Sequence, residues 1–287
     1  MRNIFLVTSL LFLVLLSNAQ SVLWEITGKR LKEPSYLYGT IHIQDKRVFA
    51  FGDEVIEAFN SSEAYAMELL MDELDMAEVQ STMFMEDKSL SDLLSEEDYN
   101  LLDSIVKEKT GQSLFIFNKM KPFFLFTQLM QMDLAKDKAD ALDLYLLNKA
   151  REQGKICLGI EEFSDQINAI DAISIEDQVS MLIEGLTDTI SSVEDKFEEL
   201  IEAYLIGNLD KMYELTKDTA LPAEFNQAFL IDRNKKMAKN IHKFIRKQRT
   251  FNAIGAAHLP GENGVIELLR KKAYTVEPII FEWKDAE

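Results

Sequence analysis

Two short β-favouring runs, one near each end of the chain, finish in the same turn. Ser35-Tyr-Leu-Tyr-Gly39-Thr-Ile-His42 and Thr250-Phe-Asn-Ala-Ile-Gly255-Ala-Ala-His258 both close on Gly-x-x-His. A glycine at a strand end lets the backbone turn, or lets another group approach where a Cβ would clash. A histidine three residues on then sits at the strand's mouth, where α/β proteins gather functional groups. The chain has 3 histidines, and His42 and His258 share this context 216 positions apart. A single copy of so short a pattern would mark a hydrogen-bonded structural histidine and nothing more. Two copies, each after a strand, constrain the fold: the two ends of the chain must enter one sheet if the histidines are to share a site.

The remaining strand signals agree. Val22–Gly28 alternates like a strand, Lys29–Pro34 supplies a turn, and Ser35–Ile43 makes the hairpin partner. Ala64–Leu70 reads as a third strand with Glu68 inside its apolar run. A carboxylate there is costly unless it is paired, bound to a cation, or turned to water from an edge strand. Lys155–Glu161 reads as a short buried strand ending in acid, and Tyr274–Trp283 as a last strand whose Pro278 favours a sheet edge.

Between these runs the pattern is helical. Ser89 and Ser95 stand at capping positions before acidic first turns, and Asp143 lies in the first turn of a helix over Asp140–Glu152. The phenylalanine-rich stretch Phe115–Phe126 is expected to pack as core around a helix starting at Pro122, rather than to line a groove. Asp171–Gly207 is expected to be helical with breaks at Gly185 and Gly207, and Glu224–Gln248 helical with a solvated basic face that includes His242. The simplest construction is a mixed α/β fold. A central mixed sheet is built from the N- and C-terminal segments, with a large helical insert over about 74–153 and 162–249 in one domain spanning 20–287.

Residues 1–19 run from a basic start through an apolar stretch, Ile4–Leu16, to a small residue, Ala19, as a secretory signal peptide does. That stretch of 13 residues is short for a membrane span, which needs about 20; an uncleaved anchor is the alternative. The mature form is therefore expected in the periplasm or outside the cell and not embedded in a membrane. A formal charge of −18 argues against nucleic acid as a partner and favours cations. Cys157 is the only cysteine, so no intramolecular disulfide holds the fold despite the export signal.

Two neutral imidazoles and one or two carboxylates are a common ligand set for a catalytic divalent metal. The set here is His42, His258, Glu68 and Glu161, with a spare glutamate to take a proton from water and an arginine to stabilise an oxyanion. Without metal the same groups make a His/Glu acid–base pair. No serine stands in a Gly-x-Ser-x-Gly elbow, no glycine loop for phosphate is present, and Cys157 lies in an apolar run, so serine or cysteine nucleophiles and nucleotide chemistry are poor readings.

Leu23-Trp-Glu-Ile with Tyr36-Leu-Tyr-Gly-Thr-Ile-His42, and Ala253-Ile-Gly-Ala-Ala-His258-Leu-Pro-Gly261, resemble the two hallmark segments of the TraB/GumN family, which includes PrgY-type and TIKI proteins. Glu68, Asp143 in its Leu-Asp-x-Tyr-Leu helix, Ile160-Glu161 with Gln166, and Arg233-Asn234 match further segments in order. Glu162 departs from the family's threonine, which leaves open whether Glu161 or Glu162 faces the site. The resemblance implies a fold similar to the erythromycin-esterase group and cleavage of peptides with a divalent metal, manganese, cobalt or zinc. In that reading His42, His258, Glu68 and Glu161 bind metal, Glu68, Glu161 and Arg233 serve catalysis, Gly39 and Gly255 shape the turns, and Asp143 and Gln166 support them. The alternative is a protein that sequesters a peptide or other small ligand in the same cleft without cleaving it. Oligomeric state is not legible.

Overall fold

A computed structural model describes residues 21–28, 31–187, 190–217 and 226–286; the expected signal peptide over 1–19 lies outside them, as do Lys29 and Arg30 of the expected first turn. The protein is mixed α/β. Its sheet has six strands: β1 (Leu23–Thr27), β2 (Ser35–Thr40), β3 (Ala64–Met67), β4 (Ile156–Gly159), β5 (Thr250–Gly255) and β6 (Thr275–Pro278), in the spatial order β4-β3-β5-β2-β1-β6. β1 pairs antiparallel with β2 and with β6, so the N-terminal hairpin and the last strand form one half of the sheet. β2, β5, β3 and β4 run parallel, with Tyr38 opposite Ala253, Met67 opposite Ala253, and Met67 opposite Gly159. β5, from the last fifth of the chain, thus lies between two strands from the first quarter. β2 and β3 are buried along their whole length, as expected of parallel strands covered on both faces.

Helices close the faces. Leu146 and Leu147 of the helix Leu142–Glu152, Met237 and Ile241 of the helix Arg233–Ile245, and Val265 and Leu269 of the helix Val265–Arg270 join the sheet in the main core. A second, smaller core is built mostly from helices: Leu102 and Val106 of Glu96–Thr110 meet Leu125 and Leu129 of Pro122–Met132 and Leu182 of Ile175–Thr187. The Ser95 hydroxyl accepts the Asp98 N–H at 3.1 Å, and Gly111 ends that helix at φ 72°, in the left-handed region where glycine costs least.

Four features differ from the sequence expectation. β4 is an edge strand with Ile156 51 % exposed, because it has a neighbour on one side only. Gly185 does not break its helix; the absent Cβ makes room for the Phe126 ring. Phe115 is 72 % exposed, so the phenylalanine-rich stretch is only partly core. The last strand stops at Pro278, on the edge, where a missing N–H breaks no ladder; Trp283 beyond it donates its indole N–H to the Leu205 carbonyl at 2.6 Å. Among the described residues, no helix is long and apolar enough to cross a membrane.

Candidate functional site

Parallel strands end on one edge of a sheet, and that edge is where α/β proteins bind ligands. Each of the four parallel strands here delivers one ionisable side chain just past its carboxyl end: His42 after β2, His258 after β5, Glu68 after β3 and Glu161 after β4. Strand order therefore sets their order along the edge, Glu161–Glu68–His258–His42. Neighbouring strands lie about 4.8 Å apart, so Glu68 and His258 are neighbours while Glu161 and His42 are roughly 14 Å apart along the edge.

Glu68 is buried and fully engaged. Its Oε1 accepts the Gly255 N–H at 2.7 Å, and its Oε2 accepts from Arg233 Nη2 at 2.7 Å and Gln166 Nε2 at 3.2 Å. Arg233 also holds Glu161, through Nε to both carboxylate oxygens at 3.1 Å and through Nη2 at 2.6 Å. One guanidinium between two carboxylates leaves a single negative charge. Glu161, expected among the metal ligands, presents both oxygens to Arg233, and its side chain has no exposed surface. Its neighbour Glu162 is exposed, and its N–H is held by Asp165 at 2.8 Å where the next helix begins. Glu161 is thus the one that faces inward.

The two histidines differ in their partners. His258 lies in the turn Ala256–His258; its Nδ1 is 2.7 Å from Asn234 Oδ1 and its Nε2 3.9 Å from Glu68 Oε1. His42 has Nδ1 2.5 Å from Asp143 Oδ2, and its side chain is 62 % exposed. Asp143 sits in the first turn of its helix, as the sequence indicated, and does more there than complement the helix dipole. The motif glycines allow the close approach. A Cβ on Gly39 would meet Leu259 Cδ1 at 2.8 Å and Ala256 Cβ at 3.0 Å, and one on Gly255 would meet Glu68 Oε1 at 3.2 Å.

Electrostatics follow from these contacts. Burial pushes the Glu68 carboxyl up, but His258, Arg233, His42 and the Gly255 N–H together outweigh it and hold it at about 2. Burial lowers His258 to about 4, against the pull of Glu68, so its ring is neutral at pH 7. Asp143 raises His42 to about 9, and solvent around the exposed ring screens part of that rise. Burial raises the Glu161 carboxyl, opposed by Arg233.

Asn234, read in the sequence only as part of the Arg233-Asn234 segment, and the Gly255 N–H have site roles that the sequence reading did not assign. The signal for Asn234 was its place beside Arg233 on the buried face of a helix, where asparagine is a poor helix former and needs a tertiary reason.

The donor set suits a divalent cation at one point. Glu68 Oε1 is an acceptor, and so is His258 Nε2 in the tautomer that carries its proton on Nδ1; two ligands about 2.0–2.2 Å from one ion lie at most about 4.3 Å apart, a limit their 3.9 Å meets. Among the described residues, no three His, Cys, Asp or Glu side chains converge as a complete metal centre. His42, the next donor along the edge, is turned to Asp143.

Comparison with known proteins gives a consistent picture. Residues 22–278 match the TraB/PrgY/gumN family. Metalloprotease TIKI2 of Danio rerio is 25 % identical over 93 % of this chain and 64 % of its own length. Metalloprotease TIKI1 of Homo sapiens is 24 % identical over 91 % of this chain and 62 % of its own. An uncharacterized protein of Treponema pallidum is 22 % identical over 90 % of this chain and 82 % of its own. The chain spans less than two thirds of the length of these two TIKI proteins. No solved structure gives a significant match. The family match covers both Gly-x-x-His turns and all six strands, and the chain belongs to the TraB/PrgY/gumN family.

Proposed function

We propose that the chain is an exported metal-dependent peptidase in which His258 and Glu68, joined by His42, would hold a divalent cation. One observation carries this reading. His258 Nε2 and the ionised Glu68 Oε1 face each other at 3.9 Å in a buried place. With the ring neutral and its proton on Nδ1 both atoms are acceptors, and such a pair is repulsive unless something positive stands between. The names of the TIKI relatives support the same class.

A bound divalent cation supplies Lewis acidity toward a scissile carbonyl and acidifies a water. The chain's own residues arrange that chemistry. Gly255 N–H, Arg233 and Gln166 fix both oxygens of Glu68, so the carboxylate cannot turn away from His258. Glu161 serves by anchoring Arg233 rather than by binding metal. Asp143 orients the His42 ring, and His42 would become the third donor once its Nε2 gives up its proton on cation binding. His42 is the exposed member of the set, which supports a substrate approach from its side of the edge.

Metal analysis of the purified protein, followed by peptide-library cleavage with and without added Mn²⁺, Co²⁺ or Zn²⁺, tests the proposal. Stoichiometric metal and metal-dependent cleavage, both lost in His258→Ala and Glu68→Gln, are expected; no uptake and no cleavage with any of the three ions would overturn it. The incomplete donor set favours a second reading, a protein that sequesters a peptide uncleaved. Peptide binding without cleavage in the metal-loaded protein would select it. Export predicts that residues 1–19 are missing from protein recovered from the periplasm or medium, and mass spectrometry showing an intact N-terminus on membrane-bound material would contradict it.

A further inference from the structure

Arg233 and Asn234 open the same helix turn and diverge. Arg233 reaches the two glutamates, and Asn234 reaches His258. The Asn234 amide is not free to choose its orientation. Its Nδ2 donates to the Asn263 carbonyl at 2.9 Å, so Oδ1 is the atom 2.7 Å from His258 Nδ1. An amide oxygen only accepts, which requires the proton to sit on Nδ1. The lone pair of the neutral ring is then on Nε2, the nitrogen on the Glu68 side.

We infer that Asn234 is a positioning residue that locks His258 in the Nδ1–H tautomer and so keeps Nε2 bare toward Glu68. Without that acceptor, the ring gains by placing its proton on Nε2 and donating it to Glu68 Oε1, a bond that a modest shift from 3.9 Å would close. The place proposed for a cation would then hold a proton. Asn263 lies in the loop that follows the second Gly-x-x-His turn, so that loop's carbonyl sets the Asn234 amide and the amide sets the ring. The tautomer follows from the hydrogen bonds alone; its consequence for cation binding rests on the metal site proposed above.

The test is two-bond 1H–15N correlation on the chelator-treated full chain at neutral pH, with His258 signals identified by their loss in His258→Gln. Wild type is expected to show Nδ1 protonated and Nε2 bare. Asn234→Leu, equal in size but without an acceptor, should move the proton to Nε2. Asn234→Asp keeps an acceptor in place and should keep the proton on Nδ1, with the ring's pKa raised by the carboxylate as Asp143 raises His42. In parallel, Co²⁺ affinity should fall about 10–100-fold in Asn234→Leu, the range usual for partners of metal-binding histidines, and be largely restored in Asn234→Asp. Wild-type protein with Nε2 protonated, or an Asn234→Leu spectrum unchanged from wild type, would overturn the inference. If Asn234→Leu does not fold, wild type still decides: Nδ1 protonated with Nε2 bare supports it, and a neutral ring with its proton on Nε2 overturns it. A tautomer that moves as expected in a protein that takes up no Co²⁺ would uphold the role of Asn234 and defeat the metal reading.

Discussion

The two Gly-x-x-His turns have the same local sequence pattern and opposite states. His42 stands 62 % exposed beside a carboxylate, and Asp143 holds its ring toward the charged form. His258 is buried beside an amide, and its ring is neutral. The motif fixes where each imidazole stands, at the carboxyl end of its strand. The partner that sets its charge comes from elsewhere in the chain, the helix Leu142–Glu152 in one case and Arg233–Ile245 in the other. A strand-end histidine is thus a position, and a helix from the insert makes it a charged group or a lone-pair donor.

The largest expected effect comes from removing the charge that organises the His258 side. Arg233→Met leaves Glu68 and Glu161 buried without their shared cation. Breaking such a pair costs about 3–5 kcal/mol, read as a lowered urea midpoint at unchanged m-value; a loss below about 1 kcal/mol would show that the carboxylates are adequately solvated without it. Glu161→Gln should cost less, about 1.5–3 kcal/mol, and the same amount with chelator as with Mn²⁺, because its oxygens face Arg233. A loss that appears only in the metal-loaded protein would return Glu161 to the ligand set.

The motif glycines sharpen the comparison further. Gly39→Ala forces a methyl against Leu259 and Ala256 and should cost about 1–3 kcal/mol in thermal or urea melts. Gly255→Ala meets its first neighbour at 3.2 Å instead of 2.8 Å and should cost less. Equal losses would mean that the two turns are equally tight.

Smallest, and most telling about charge, is pH. The His258 pKa is lowered on folding, so its contribution to stability is present above about 6.5 and is lost as pH falls toward about 4. The His42 pKa is raised, so its contribution is full below about 6.5 and is lost as pH rises through about 9. Urea melts across this range in metal-free protein should therefore weaken at both ends, with the alkaline loss reduced by solvent around His42. Asp143→Asn should remove the alkaline loss and leave the acid one; an alkaline loss that persists would assign it to another group.

Much of the edge was legible in sequence. Apolar runs ending in Gly-x-x-His or in glutamate located the strands and the side chains at their mouths, and Pro278 marked an edge. Strand order was not legible, because nothing local to Thr250–Gly255 says that it enters between Ser35–Thr40 and Ala64–Met67. That order decides which donors are neighbours, and it puts Glu161 at the far end from His42. Lys155–Glu161 reads as buried from its side chains alone, yet half-exposure of Ile156–Gly159 follows from its place at the sheet edge. The Asn234 contact was hidden for a related reason: its partners, His258 and Asn263, are 24 and 29 residues away, and only the packed helix brings them together.

The central claim is that one cation is held between His258 and Glu68. Co²⁺ titration of chelator-treated protein, followed by visible absorption and calorimetry, tests it most directly. The account predicts one equivalent bound by wild type. It predicts affinity lowered by more than about 100-fold in His258→Ala and in Glu68→Gln, beyond the usual effect of losing an outer partner, and little changed in Glu161→Gln. Wild type that binds no Co²⁺, or His258→Ala that binds it as wild type does, would contradict the account.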